Sequence, residues 1–439
     1  MARTYIIETF GCQMNVHDSE RLAGLLHQAG YAPSPSVDGA DLVVVNTCSV
    51  RERASEKLFS RLDRYRHVAV DERPIIAVTG CVAQQEGNQL LDRAPLIDVV
   101  IGTQALTQLP SAIEAARRTR VSQVDIHPYD NISFPLGVAV RSDPVKAFVT
   151  IIEGCNDFCA FCVVPYTRGH ERMRPATEIV AEIEEAAASG RREVHLLGQI
   201  VNHYQAPDRG DCDFARLLAL VHEVKGIDRI RFASPHPRHV TGRLIETMRD
   251  LPKVCKHLHL PVQSGSTRIL GLMRRRHTRE RYLELVDEVR AAIPEIALST
   301  DIIVGFPGET VDDFEQTLSL AESIRFHGMF SFKYSERPNT LARRRMPDTV
   351  PETEKGRRLT VLQQAQQDIQ QSLHEAMVGR QVTVLADASS RRRERSNEYT
   401  GRTCGNTAVN FEAGPDCLGQ LLDINVRRAG PNSVWGEVI

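Results

Sequence analysis

Three of the chain's ten cysteines lie within eight residues of one another, in Gly154-Cys155-Asn156-Asp157-Phe158-Cys159-Ala160-Phe161-Cys162. Soft thiolates on one short loop can converge on three irons of a cubane iron–sulfur cluster. The fourth iron of such a cluster stays open to a substrate or cofactor, which points to catalysis more than to electron storage. Two plainer chemistries fit part of the pattern. Cys159 and Cys162 alone make a Cys-x-x-Cys that suits a redox dithiol or half of a zinc site. A dithiol has no use for Cys155, and a structural zinc wants a second close pair of ligands, whereas His170 and His195 stand apart.

Elements must bring such residues together. Up to about residue 120, β-branched runs alternate with amphipathic stretches, which predicts a parallel open sheet with helices between its strands. The strands are Tyr5–Thr9, Leu42–Asn46, Ile75–Val78 and Val99–Ile101, and the helices include Ser19–Gln28 and Arg53–Arg64. Cys12, Cys48 and Cys81 each follow one of the first three strands. Ligands collect at the carboxyl ends of strands in an open α/β sheet, so three cysteines distant in sequence are expected to meet there as a second metal-binding trio. Three unrelated buried thiols are the alternative, since free cysteine packs as a small apolar residue. Gly11 and Gly80 precede two of these cysteines and give the backbone room to turn around a bulky ligand.

Residues from His127 to Pro144 read as a linker. Beyond it, strands at Ala147–Ile152, Glu193–Leu197, Arg229–Ala233, His257–Leu260, Ile296–Val304 and Met329–Tyr334 alternate with helices at Thr177–Ala188, Phe214–Val224, Arg279–Ala292 and Val311–Ile324. Six such units predict an incomplete, TIM-like β/α barrel with its site at the strand carboxyl ends. Thr349-Val350-Pro351-Glu352 reads as a capping box for a long helix with Leu359, Leu362, Ile369 and Leu373 on one face. After Gly379, short runs at Val382–Leu385, Ala408–Phe411 and Leu421–Val426 predict a small all-β module. The expected divisions are 1–125, a linker at 126–145, 146–376 and 377–439.

The 439 residues suffice for two or three domains, and 42% hydrophobic with 25% charged residues is ordinary for a soluble fold. Met1–Glu8 lacks the apolar stretch of a signal peptide and no run is apolar enough to span a bilayer, so a cytoplasmic protein with no membrane role is expected. A monomer is expected, though no sequence feature sets the oligomeric state. Ten cysteines in a reducing compartment favour metal binding or catalysis over disulfides. A net charge of −2 gives no bulk argument for nucleic-acid binding. That would depend on local patches such as Arg274–Arg276, Arg343–Arg345 and Arg391–Arg393, each of which also reads as solvated surface. Cys212, Cys255, Cys404 and Cys417 fit no motif and read as packing residues. His257 and His259 read as part of a strand's core face rather than as metal ligands.

The segments Phe10-Gly11-Cys12-Gln13-Met14-Asn15, Asn46-Thr47-Cys48-Ser49-Val50-Arg51-Glu52, Gly80-Cys81-Val82-Ala83 and Cys162-Val163-Val164-Pro165-Tyr166-Thr167-Arg168-Gly169 resemble those of the radical S-adenosylmethionine methylthiotransferases, in particular the branch acting on tRNA. Leu196–Gln199, His259–Ser266 and Ser299–Thr310 agree with that resemblance. It implies one [4Fe-4S] cluster on Cys155, Cys159 and Cys162 that binds S-adenosylmethionine, and an auxiliary [4Fe-4S] cluster on Cys12, Cys48 and Cys81. It also makes the β module a TRAM domain. The implied reaction replaces the C2 hydrogen of an N6-isopentenyladenosine beside the anticodon with a methylthio group. By the family's scheme one S-adenosylmethionine methylates a sulfur on the auxiliary cluster and a second generates the 5′-deoxyadenosyl radical. The implied partners are a tRNA anticodon stem-loop, an electron donor, and a sulfur donor or cluster-repair system. Gln199, Gln263, Asp301 and Gly305, near strand ends, are the candidates for holding S-adenosylmethionine or the nucleoside, and Arg51 is a candidate phosphate contact. Ile200 and Asn339 depart from the family's usual Asn and Gly. A methylthiotransferase acting on a ribosomal-protein aspartate, and a non-catalytic RNA-binding metalloprotein, are the competing readings.

Overall fold

The computed structural model describes residues 3–49, 52–69, 72–128, 138–389 and 397–439. Arg51, Arg391–Arg393 and the middle of the expected linker lie outside these residues. The chain forms two compact units. One comprises Met1–Ser142, Phe148–Asp157 and Cys162–Arg174; the other comprises Asp143–Ala147, Phe158–Phe161 and Pro175–Ile439.

The first unit is built on six parallel strands, β1 (Thr4–Phe10), β2 (Ala32–Pro33), β3 (Leu42–Thr47), β4 (Ile75–Gly80), β5 (Val99–Ile101) and β6 (Gln123–Asp125), in the order β2-β1-β3-β4-β5-β6. β3 is buried along its whole length because helices cover both faces, and parallel sheets covered in this way read as unbroken apolar runs. Val44 packs with Leu22, Leu26 and Leu109 on one face, while Val43 and Val45 pack with Leu58, Leu90 and Val100 on the other. The short edges β2 and β6 go unmarked in the sequence. The first helix runs Gln13–Gln28, not Ser19–Gln28. Its extra turns carry Asn15, His17 and Asp18, polar but buried, so they show no amphipathic period.

The chain passes between units within β7 (Lys146–Thr150). A small antiparallel pair, β8 (Ile152–Glu153) with β9 (Arg172–Met173), completes the first unit.

The second unit contains the remaining barrel strands β10 (Glu193–Leu197), β11 (Arg229–Phe232), β12 (His257–His259), β13 (Ala297–Val304) and β14 (Gly328–Lys333). Val145 accepts hydrogen bonds from the Arg192 and Glu193 amides, seating the start of β7 beside β10. β10 and β11 are parallel, a parallel bridge from Ile230 to Val254 leads into β12, and β12, β13 and β14 are parallel neighbours. This is the open six-stranded β/α barrel expected. Helices Arg279–Ala292 and Val311–Ile324 fall on the expected residues, and the latter opens with a true capping box between Thr310 and Asp313. The box expected at Thr349–Glu352 does not form. Pro351 caps the helix Glu352–Glu375 without a side-chain bond, and Thr349 Oγ1 instead accepts the Gly308 amide at 3.1 Å. Leu362 and Ile369 of that helix are buried, but so are Arg358, held 2.7 Å from Glu309, and Gln366, which donates to the Phe326 carbonyl at 2.8 Å.

The β module is a closed five-stranded barrel of β15 (Gln381–Ser389), β16 (Glu398–Thr403), β17 (Ala408–Glu412), β18 (Leu421–Ala429) and β19 (Val434–Val438), in the order β15-β16-β17-β19-β18. Val384, Val409, Phe411, Ile424 and Val434 fill it, and closure removes its sheet edges. It docks on the amino ends of β10 and β11. Arg231 lies 2.8 Å from Glu193 Oε2 and donates to the Thr403 carbonyl at 2.7 Å, and Arg229 donates to the Thr383 carbonyl at 3.0 Å.

Candidate metal centres

The first trio is assembled by sheet order. β1, β3 and β4 are adjacent; Cys12 caps the helix after β1, Cys48 follows β3, and Cys81 opens the helix Cys81–Glu86 after β4. The neighbouring Cys48 thiol, against burial and with help from Arg168, draws the Cys12 thiol down to about 5. Burial pushes Cys81 up, with Arg168 opposing. Among the described residues no three His, Cys, Asp or Glu side chains are close enough to grip a single metal ion. A four-iron cube offers a separate iron to each thiolate, so it asks for a wider triangle of sulfur donors, and three cysteines outside any disulfide, on neighbouring turns beside a cationic group, suit it chemically.

Two asparagines knit the three turns together. Asn15 Nδ2 donates to Asn46 Oδ1 at 3.0 Å and to the Thr47 carbonyl at 3.2 Å, and Asn15 Oδ1 accepts the Cys12 thiol at 3.2 Å. Asn46 Nδ2 returns a bond to the Asn15 carbonyl at 2.9 Å. Gly80 has φ 92° and ψ −162°, a conformation almost confined to glycine, and a Cβ there would strike the Thr47 carbonyl and Asn46 Oδ1. The neighbouring turn, rather than a ligand, therefore demands this glycine. Gly80→Ala is expected to cost at least about 1–3 kcal/mol and to lower iron retention by the first trio. Thermal denaturation together with iron analysis would check both.

Arg168 carries no sequence signal beyond its place in the Cys162–Gly169 segment. Its guanidinium lies 2.6 Å from Asp18 Oδ2, with side chains 5% and 2% exposed. Burial works against its charge, but Asp18 and the sulfurs of Cys81 and Cys12 hold it protonated.

The close-spaced cysteines fall in both units, Cys155 and Cys162 in the first and Cys159 in the second. Cys155 is buried, and its sulfur accepts the Asp157 amide at 3.4 Å. Gly154 has φ 76°, and a Cβ would strike the His170 carbonyl. Cys159 is half-buried and is approached by Arg275, whose Nη1 lies 3.6 Å from its sulfur while Nη2 donates to the Pro261 carbonyl at 2.8 Å. The run Arg274–Arg276 is thus not uniformly surface: Arg275 is buried, while Arg274 and Arg276 are exposed with φ of 58° and 55°. Arg343–Arg345 is exposed throughout.

Of the candidate cofactor contacts, Gln263 is buried with φ 77°, an uncommon conformation for a side-chain-bearing residue and one that clusters at functional sites. Its amide donates to the Asp301 carbonyl at 2.9 Å, and its carbonyl accepts from Ile303. Asp301 lies 3.3 Å from His259 Nε2. His259 Nδ1 and His257 Nε2 both meet Ser299 Oγ at 2.9 Å, making these histidines members of a polar network across β12 and β13. Gln199 is half-buried just beyond β10. Gly305 has φ 71°; its amide donates to Glu309 at 2.6 Å, and a Cβ would strike Lys355. Ile200 is buried, and Asn339 has φ 67°, which suits the glycine it replaces and which asparagine tolerates.

Comparison with known proteins agrees with these elements. Residues 149–321 match the Radical SAM superfamily, and residues 4–102 match a family described as Uncharacterized protein family UPF0004. The fold is shared with the radical S-adenosylmethionine methyltransferase TsrM of Kitasatospora setae, at TM-score 0.55 and 14% identity over 78% of this chain and 74% of that one. The open barrel with its Cys-x3-Cys-x2-Cys loop thus defines a radical S-adenosylmethionine protein. The tRNA-2-methylthio-N(6)-dimethylallyladenosine synthase of Geobacter metallireducens is 46% identical over 98% of this chain and 97% of its own length. That of Yersinia pseudotuberculosis is 46% identical over 100% and 93%. The chain belongs to the family of tRNA-2-methylthio-N(6)-dimethylallyladenosine synthases.

Proposed function

We propose that this enzyme transfers a methylthio group to C2 of N6-isopentenyladenosine next to the anticodon of tRNA. The reading rests on Cys12, Cys48 and Cys81 each following one of three adjacent strands, in a chain that also holds the close-spaced trio and belongs to this family. Cys155, Cys159 and Cys162 would hold one [4Fe-4S] cluster with S-adenosylmethionine, and Cys12, Cys48 and Cys81 the other. When bound, these groups supply radical chemistry and a sulfur donor.

The C2 hydrogen of adenine is not acidic enough for a side-chain base, so the chain's own residues position and tune rather than abstract. Arg168 balances negative charge at the first trio, oriented by Asp18. Arg275 offers an N–H to Cys159, a contact that tunes a sulfur ligand's electron density. Gln199, Gln263 and Asp301 lie at or just beyond strands of the central barrel, where substrate contacts gather in such barrels. The C-terminal barrel would serve as a TRAM domain for tRNA. Function further requires an external electron donor and a sulfur or cluster-repair source, and the working state would be a cytoplasmic monomer. Among the described residues no helix is long and apolar enough to cross a membrane.

Anaerobically reconstituted protein, incubated with reductant, S-adenosylmethionine and isopentenylated tRNA, is expected to yield a methylthiolated nucleoside by mass spectrometry. Two intact clusters without that product would overturn the reading, as would methylthiolation of a ribosomal-protein aspartate instead.

A further inference from the structure

Two cysteines outside both trios meet in the second unit. Cys255 follows Val254 at the bridge to β11, and its amide donates to the Ile230 carbonyl at 3.0 Å. Cys404 stands just past β16, in the turn leading to β17. Its sulfur accepts the Lys256 amide at 3.1 Å, the peptide N–H immediately after Cys255. The turn is held in place by backbone contacts: Arg231 donates to the Cys404 carbonyl at 3.2 Å and to the Thr403 carbonyl at 2.7 Å, Glu193 fixes that guanidinium, and Arg229 donates to the Arg402 carbonyl. Cys255 is 2% exposed, whereas Cys404 is half-buried, so solvent reaches the pair through Cys404.

The surroundings separate the two sulfurs chemically. The neighbouring Cys255 thiol, against burial and aided by the Lys256 amide, Arg229 and Arg231, brings Cys404 down to about 6, and the same neighbour relation together with burial holds Cys255 well above the usual thiol range. Burial raises Cys212 and Cys417. A reachable thiolate beside a buried thiol matches the division of labour between an attacking and a resolving cysteine.

We propose that Cys404 and Cys255 form a peroxide-reactive pair that closes to a disulfide between the C-terminal barrel and the amino ends of the central barrel. The Cys404 thiolate attacks one oxygen of hydrogen peroxide, breaking the O–O bond and releasing hydroxide, which leaves Cys404 as a sulfenic acid. The Cys255 sulfur then displaces that hydroxyl, forming the S–S bond; the thiol's proton leaves with it as water. Peroxide is the oxidant, and both cysteines are oxidised by one electron each. The pair is independent of the cluster ligands.

The test exposes the cluster-loaded, full-length enzyme to a few equivalents of hydrogen peroxide, blocks residual thiols and maps peptides without reductant. The expected result is a linked Cys255–Cys404 peptide forming at least about tenfold faster than oxidation of Cys212 or Cys417. In Cys255→Ser, dimedone should trap the Cys404 sulfenic acid; in Cys404→Ser, Cys255 should remain a free thiol. Iodoacetamide provides a second reading on unmodified enzyme. Lower intrinsic nucleophilicity offsets most of the thiolate gain at pH 7, leaving roughly threefold over an ordinary thiol, but at pH 6 the advantage is about tenfold. The alkylation rate of Cys404 should therefore flatten above about pH 7 instead of climbing towards pH 9. Recovery of both residues as free thiols after Cys212 and Cys417 have oxidised, or a Cys404 profile still rising through pH 8.5, would overturn the proposal.

Discussion

Cys48→Ala and Cys159→Ala are expected to abolish methylthio transfer in different ways. Each leaves two cysteines where three must hold a cluster, so each should release about half of the iron bound by fully reconstituted enzyme. Cys159→Ala should eliminate both 5′-deoxyadenosine and the methylthiolated nucleoside, because it disables the site assigned to S-adenosylmethionine. Cys48→Ala should lower nucleoside product by at least about 10³-fold while retaining 5′-deoxyadenosine formation, since only the site proposed to supply sulfur is lost. Iron analysis with chromatography of both products checks the split. If Cys48→Ala keeps its full iron content and product, the first trio is not a metal centre.

Arg168→Met should be the most damaging change outside the cysteines. Its partner Asp18 is 2% exposed and would keep a buried charge without its cation. Breaking such a pair from one side costs about 3–5 kcal/mol, or roughly 6–20 °C in Tm for a unit of this size. The double variant Asp18→Asn/Arg168→Met should recover much of that loss, because removing both charges removes the uncompensated one. Calorimetry on the cluster-free protein isolates this effect from iron binding. A single-variant loss below about 1 kcal/mol would show that the pair is not the stabilising contact its burial indicates.

Much of this arrangement is legible in the sequence. β-branched runs followed by cysteine mark both strand and strand end, and β1, β3 and β4 are neighbours, so Cys12, Cys48 and Cys81 stand at three adjacent strand ends. The central helices are readable because an apolar stripe at helical spacing packs on the barrel, as in Arg279–Ala292. What escapes is buried polarity. Asn15, His17, Asp18, Ser19 and Arg21 occupy consecutive turns of the first helix, and each has its partner on another element: Asn46, Thr150, Arg168, Thr9 and Glu153. Such residues carry the same letters as solvated ones, and only tertiary pairing tells them apart. The same reason hides Arg275 in an arginine run and Cys404 among incidental thiols. Strands β16 and β19 escape because short, mixed-polarity segments such as Glu398–Thr403 gain order from barrel closure rather than from their own pattern.

The docking of the C-terminal barrel on the amino ends of β10 and β11 bears on how this protein can be shortened. Arg229 and Arg231 surrender their hydrogen bonds to carbonyls that belong to residues beyond position 380. Deleting that tail would leave both guanidiniums capping an uncovered hole, with Glu193 answering only one of them. A minimal catalytic fragment ending at the long helix would thus inherit a raw, cationic wound, and its recovery in soluble form would require replacing both arginines along with the missing strands.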